Sequence, residues 1–180
     1  MKIAIVYESM FGNTEALAGD VRDGMIAAGA DVTMTEVATE LPPELEGCDL
    51  VVLAAPTHAL TLSRPATRAD AVTQGAGPEH ATTGVREWLA LFARDASATT
   101  KRPAVAVFDT RVAKVRRLPG SAAGRAGRTV AKAGFTVVDR CSFYVEGTRG
   151  PLVAGEHERA RQWGSALVVA TAGAVAHRPV

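Results

Sequence analysis

The stretch Ile5-Val6-Tyr7-Glu8-Ser9-Met10-Phe11-Gly12-Asn13-Thr14-Glu15-Ala16-Leu17-Ala18 changes character in its middle. Up to Tyr7 it closes an apolar run, Lys2 to Tyr7, with β-branched residues, which reads as a strand. From Asn13 onward Leu17, Val21, Met25 and Ala28 recur at helical spacing, with Asn13 or Thr14 suited to cap the helix and Gly29 to end it. The turn between them, Glu8 to Thr14, carries no Lys or Arg. Its backbone amides and the positive end of the helix form a nest for an anion, and Ser9, Asn13 and Thr14 add side-chain donors. Gly12 permits close backbone approach or a positive φ.

Outward from this unit, Asp31 to Val37 and Leu50 to Ala55 read as the second and third strands. Leu50-Val51-Val52-Leu53-Ala54-Ala55 has no polar alternation, the mark of a parallel strand covered on both faces. Pro103 to Phe108 repeats that mark, and a fifth strand begins over Phe135 to Val138. Helices are expected around Thr83 to Asp95, Ser121 to Ala133 and Glu156 to Ala172, while Pro56 to Gly77 reads as a long irregular loop of functional interest. Strands alternating with helices imply a doubly wound α/β sheet of five parallel strands in one domain over residues 1–180. Ligands of such sheets bind beyond the carboxyl ends of the strands, so the loops after strands one, three and four are the candidates.

Composition narrows the function classes. The 180 residues are 47% hydrophobic and 22% charged, with net charge +1 and two cysteines, Cys48 and Cys141, too far apart to suggest a CxxC unit. Reduced thiols and the absence of a signal-like apolar segment lead us to expect a cytoplasmic protein. The longest apolar run, Ala166 to Ala176, falls short of the roughly 20 residues needed to cross a bilayer. Residues 1–90 hold 5 Lys/Arg and 13 Asp/Glu, whereas residues 91–180 hold 15 and 6, with a basic run from Lys101 to Arg128. That run lacks interleaved aromatics, so nucleic acid is not an expected partner. P-loop nucleotide hydrolysis, the common serine hydrolases and phospho-receiver chemistry lack their motifs. Cys48 and Cys141 read as packing residues, Trp88 and Trp163 as core anchors, and His80, His157 and His177 as solvent-facing.

The segment Ile5 to Ala18, followed by Val21, resembles the flavodoxin signature: an aromatic at Tyr7, a hydroxyl at Ser9, a small residue at Gly12, then Thr14 and Ala18 within one strand-turn-helix. The resemblance implies the flavodoxin-like fold, an α/β doubly wound five-stranded parallel sheet in order 2-1-3-4-5 with helices on both faces, and flavin mononucleotide (FMN) as cofactor. Carried over by position, Ser9, Met10, Phe11, Gly12, Asn13 and Thr14 would surround the phosphate, Pro56, Thr57, His58, Ala59 and Leu60, continuing to Leu62, would hold one face of the ring, and Asp109, Thr110 and Arg111, continuing to Val112, the other. The chain departs from the family in having Phe11 where many members have a third hydroxyl, and in lacking the Trp and Tyr that sandwich the ring, a task left to His58, Leu60 or Leu62. The implied function is electron transfer between a reductase and a redox acceptor. An FMN-dependent NAD(P)H:quinone or flavin reductase, and a flavin-free binding module on the same fold, are the alternatives.

Overall fold

The computed structural model describes residues 1–37, 45–95 and 102–176. Five strands, β1 (Lys2–Tyr7), β2 (Asp31–Glu36), β3 (Leu50–Pro56), β4 (Ala104–Val112) and β5 (Val137–Val145), form one sheet in the order β2-β1-β3-β4-β5. Every pairing is parallel. The helices are α1 (Asn13–Ala27), α2 (Pro65–Thr73), α3 (Val85–Asp95), α4 (Ala122–Lys132) and α5 (Glu156–Ala176).

The unbroken apolar runs are explained by two cores. Successive residues of a strand face opposite sides of a sheet. Val51, Leu53 and Ala55 of β3 join Trp88, Phe92, Ala126 and Val130 on the α3/α4 side, while Leu50, Val52 and Ala54 join Leu17, Val21, Ala160 and Leu167 on the α1/α5 side. Both faces being buried, both sets must be apolar. Trp88 is fully buried, its ring stacked on Phe92 at 5.0 Å, and Phe92 in turn on Phe135 at 4.5 Å. Trp163 is half-buried, meeting Phe108 and Phe143 edge-on while its Nε1 donates to Asp139 at 2.7 Å.

Several boundaries differ from the sequence reading, each for a local reason. The cap of α1 is Gly12, in the left-handed region (φ 80), not Asn13 or Thr14. The stretch from Pro56 to Gly77 is not irregular throughout, since α2 starts at Pro65 and Thr67 Oγ1 accepts from Arg64 N at 2.9 Å. β4 and β5 run past Phe108 and Val138 through polar residues, because Asp109, Thr110 and Arg111 find buried partners and continue the parallel ladder with Ser142, Phe143 and Tyr144. Cys141 therefore lies inside β5, where burial raises its thiol pKa against the opposing pull of Arg159.

α1 and α5 pack backbone to backbone at two glycines. A Cβ added to Gly24 would lie 2.0 Å from the Arg161 carbonyl oxygen, and one added to Gly164 would lie 2.3 Å from that of Val21. Ser165 Oγ donates to the Gly24 carbonyl at 2.8 Å across the same seam. Gly164→Ala should therefore destabilise the protein by about 3 kcal/mol, the upper end of overpacking costs, despite the helix propensity gained. Urea denaturation of the two proteins measures this directly.

Candidate functional site

A cavity of about 510 Å³ opens at the carboxyl ends of β1, β3 and β4, the end of the sheet where doubly wound proteins hold ligands. Of the residues singled out from sequence, Ser9, Met10, Phe11, Asn13, Thr14, Pro56, Thr57, His58, Ala59, Leu60 and Thr110 all line it. Gly12, Asp109 and Arg111 do not.

The first wall is the turn from β1 into α1. Glu15 N donates to Ser9 Oγ at 3.3 Å, and Thr14 Oγ1 shares a buried 2.9 Å hydrogen bond with Thr110 Oγ1. Gly12 at the cap has no side chain to accept from the first amides of α1, so those other than Glu15 N, which Ser9 Oγ takes, are left for an external acceptor. A Cβ built on Gly12 meets nothing within 4 Å; the left-handed backbone, not lack of room, is what calls for glycine there. Uncapped amides beside hydroxyls, in a loop without cations, are a donor set that suits a phosphate.

The second wall follows β3. His58 N donates to Thr61 O at 2.9 Å and Thr61 N to His58 O at 3.1 Å, enclosing Ala59 (φ 46) and Leu60 (φ 64). This is a two-residue hairpin with both central residues left-handed, a conformation usually given to Asn-Gly. The Leu60 carbonyl packs so close to Gly120 that a Cβ there would approach it to 2.8 Å. His58 is half-buried, and burial lowers its pKa below the ordinary 6.5, which favours the neutral ring. Leu62, by contrast, is buried in the core cluster with Trp88 and Leu89 and takes no part in the cavity.

A third wall comes from within the stretch Pro56 to Gly77, where the sequence suggests a loop and the structure has a helix. Thr67, Asp70 and Ala71 of α2 and Gln74 just after it line the cavity, and Met10 packs against Ala71 and Ala76 to hold α2 beside the first wall. Val112, Val115 and Leu118 complete the opposite side, where Lys114, Arg116 and Arg117 are exposed.

Asp109 and Arg111 act from behind these walls. Asp109 is fully buried; its Oδ2 accepts from Ala123 N at 2.8 Å at the start of α4 and from Thr57 Oγ1 at 3.1 Å, while Thr57 Oγ1 accepts from Ala122 N at 2.9 Å. One carboxylate thus joins β4, the loop after β3 and the amino end of α4. Arg111 Nη2 donates to the carbonyls of Val115 at 3.2 Å and Leu118 at 3.0 Å, fixing the turn that carries the basic residues.

The remaining histidines serve elsewhere. His80 is not solvent-facing: it lies between Glu36 and Glu79, with its side chain 22% exposed. His157 is exposed and bonds Asp20 at 2.5 Å, and His177 lies outside the described residues. Among the described residues no cluster of His, Cys, Asp or Glu could hold a metal, and no helix is long and apolar enough to cross a membrane.

No family model matches the sequence, and no curated protein matches it. Solved structures do match. A flavodoxin from Pseudomonas aeruginosa, a cysteine-to-alanine mutant, is 15% identical with a TM-score of 0.64, over 96% of this chain and 100% of that one. A flavodoxin, WrbA-like protein from Agrobacterium tumefaciens is 14% identical at 0.63, covering 95% and 97%. Oxidised flavodoxin 2 from Bacillus cereus is 20% identical at 0.59, covering 97% and 99%.

The left-handed pair predicts its own test. Replacing Ala59 by Asn and Leu60 by Gly should stabilise the protein by about 1–2 kcal/mol: each non-glycine left-handed residue costs roughly 1–2 kcal/mol, and the part that Asn retains together with the chain entropy that Gly adds to the unfolded state, about 0.5–1 kcal/mol, offsets some of the gain. Thermal unfolding of the double variant should register the gain as a raised Tm.

Proposed function

The chain has the flavodoxin-like fold, and from that premise we propose that it binds FMN in the cavity and passes electrons between a reductase and a redox acceptor. The observation that carries this reading is convergence: the uncapped amino end of α1 with its hydroxyls, and the loop after β3, open onto one cavity of a size ordinary for cofactor sites. In this reading the amides of the turn from Ser9 to Thr14, with the Ser9, Asn13 and Thr14 side chains, hold the phosphate. Pro56, Thr57, His58, Ala59 and Leu60 lie along one side of the ring, and Thr110, Val112, Val115 and Leu118 along another. Asp109 and Arg111 position those two walls through the hydrogen bonds given above. A neutral His58 offers a hydrogen bond without placing a charge at the ring. The bound flavin supplies the redox chemistry, while the protein orients it and sets its polarity.

A second reading, an FMN-dependent NAD(P)H:quinone or flavin reductase, draws support from the exposed Lys114, Arg116 and Arg117, which flank the cavity-lining Val115 and Leu118. A positive rim attracts either a phosphorylated nicotinamide or an acidic protein partner. In both readings a cytoplasmic setting suits the reduced thiols of Cys48 and Cys141.

The visible spectrum of the purified protein separates these possibilities. Yellow protein that needs a separate reductase is expected of the carrier. Bleaching by NADH or NADPH alone under anaerobic conditions would identify the reductase, and colourless protein indifferent to added FMN would identify a binding module without flavin. Thr14→Ala should weaken FMN by roughly 1–3 kcal/mol, the value of one hydrogen bond to a charged group, and leave riboflavin nearly unaffected. Equal weakening of both ligands would place the phosphate elsewhere. Reversing Arg116 and Arg117 to Glu should slow flavin reduction and flatten or invert its dependence on salt, since screening at 0.15 M limits exposed charges to a reach of about 8 Å. Stopped-flow reduction across a salt series measures both effects.

A further inference from the structure

Phe11 occupies the place in the β1–α1 turn where a hydroxyl would serve a phosphate, and its ring bears a cation. The Arg149 guanidinium lies over the Phe11 ring, Cζ 6.0 Å from the centroid, at the outer limit of a cation–π contact. Arg149 reaches this place from the segment that follows the edge strand β5. The return is well held: Glu146 N donates to Pro151 O at 2.9 Å, Gly150 N to Gly147 O at 3.0 Å and Val153 N to Tyr144 O at 3.0 Å. It is also fastened to the turn itself, because Asn13 Nδ2 donates to the Arg149 carbonyl at 3.1 Å. The neighbouring Thr148 lines the cavity, as do Phe11 and Asn13. Among the described residues the guanidinium takes part in no ion pair, and it is exposed.

On the reading that this cavity holds FMN, we infer that Arg149 is a specificity-determining residue for the phosphate monoester, its guanidinium carried on Phe11 beside the uncapped amino end of α1. The turn has hydroxyls and amides but no cation of its own. Arg149 supplies, from a segment more than 130 positions away in sequence, both a counter-charge and additional donors. A planar guanidinium suits a phosphate because two of its N–H groups meet two oxygens at once. Phe11 is then a platform that holds the long side chain in place, which lowers the entropy lost when the phosphate arrives.

Titration of the ligand-free protein with FMN and with riboflavin, followed by flavin fluorescence at two salt concentrations, tests this. Arg149→Gln should weaken FMN about tenfold or more, the effect of losing a charged hydrogen bond, leave riboflavin within about twofold, and reduce the salt dependence of FMN binding. Arg149→Lys should recover the salt dependence and only part of the affinity, because a point charge lacks the paired donors. Phe11→Leu should weaken FMN in wild type but add little in the Arg149→Gln background, as expected when two residues act as one unit. An unchanged melting temperature of Arg149→Gln without ligand excludes misfolding as the cause. If FMN binds wild type and Arg149→Gln equally, the role of Arg149 is overturned while the flavin site stands. If wild type binds neither flavin, the flavin site and the role of Arg149 fall together.

Discussion

A fully buried arginine determines the shape of the cavity. Arg68 of α2 has no exposed surface, and its guanidinium donates to Ser63 Oγ at 3.0 Å, Ala81 O at 3.1 Å and Thr82 O at 3.1 Å, with Glu87 at 3.1 Å on α3. A buried guanidinium is tolerated only when its donors are met, so the chain on either side of α2 must curl to bring those carbonyls inward. Glu8, at the end of β1, enters the same assembly by accepting from Val85 N at 2.8 Å. Burial raises the Glu8 carboxyl above its usual range, with Ser63, Val85 and Arg68 pulling the other way. The result is that β1, the loop after β3, α2 and the start of α3 cannot move independently, and α2 is held where it walls the cavity.

Asp109 plays the corresponding part on the opposite side. Its hydrogen bonds to Thr57 and Ala123 lock the loop after β3 against the amino end of α4, where the helix dipole favours a carboxylate. Between these two polar anchors, one cationic and one anionic, the hairpin from His58 to Thr61 is stretched into left-handed backbone at Ala59 and Leu60. Backbone strain of this sort persists only where its surroundings over-determine it, and here the anchors and the contact with Gly120 do so.

The sheet was legible in the sequence because its signals are local. Val51 to Ala55 and Val105 to Phe108 are apolar on both faces, and the structure buries both faces. The turn from Ser9 to Thr14 was legible for the same reason, since strand, turn and helix follow one another directly. α2 was not, because only Arg68 and Ala71 of Pro65 to Thr73 are buried, leaving no apolar stripe to read. The polar ends of β4 and β5 were hidden for a related reason: Asp109 looks like a loop residue until its bonds to Thr57 and Ala123 are known, and Arg111 until its bonds to the carbonyls of Val115 and Leu118 are. Ala59 and Leu60 carry no mark of left-handed backbone, and Arg149 meets Phe11 only through the fold.

The central claim is that one cavity, above β1, β3 and β4, receives FMN. Its most direct test is the change in backbone amide resonances when FMN is added to isotopically labelled, ligand-free protein. Shifts are expected to concentrate at Met10 to Thr14, Thr57 to Leu60, Thr110 and Thr148, with those at Gly12 to Thr14 vanishing when riboflavin replaces FMN. Shifts centred instead on Glu36 and His80, or at the amino ends of the strands around Ile3 and Leu50, would contradict it.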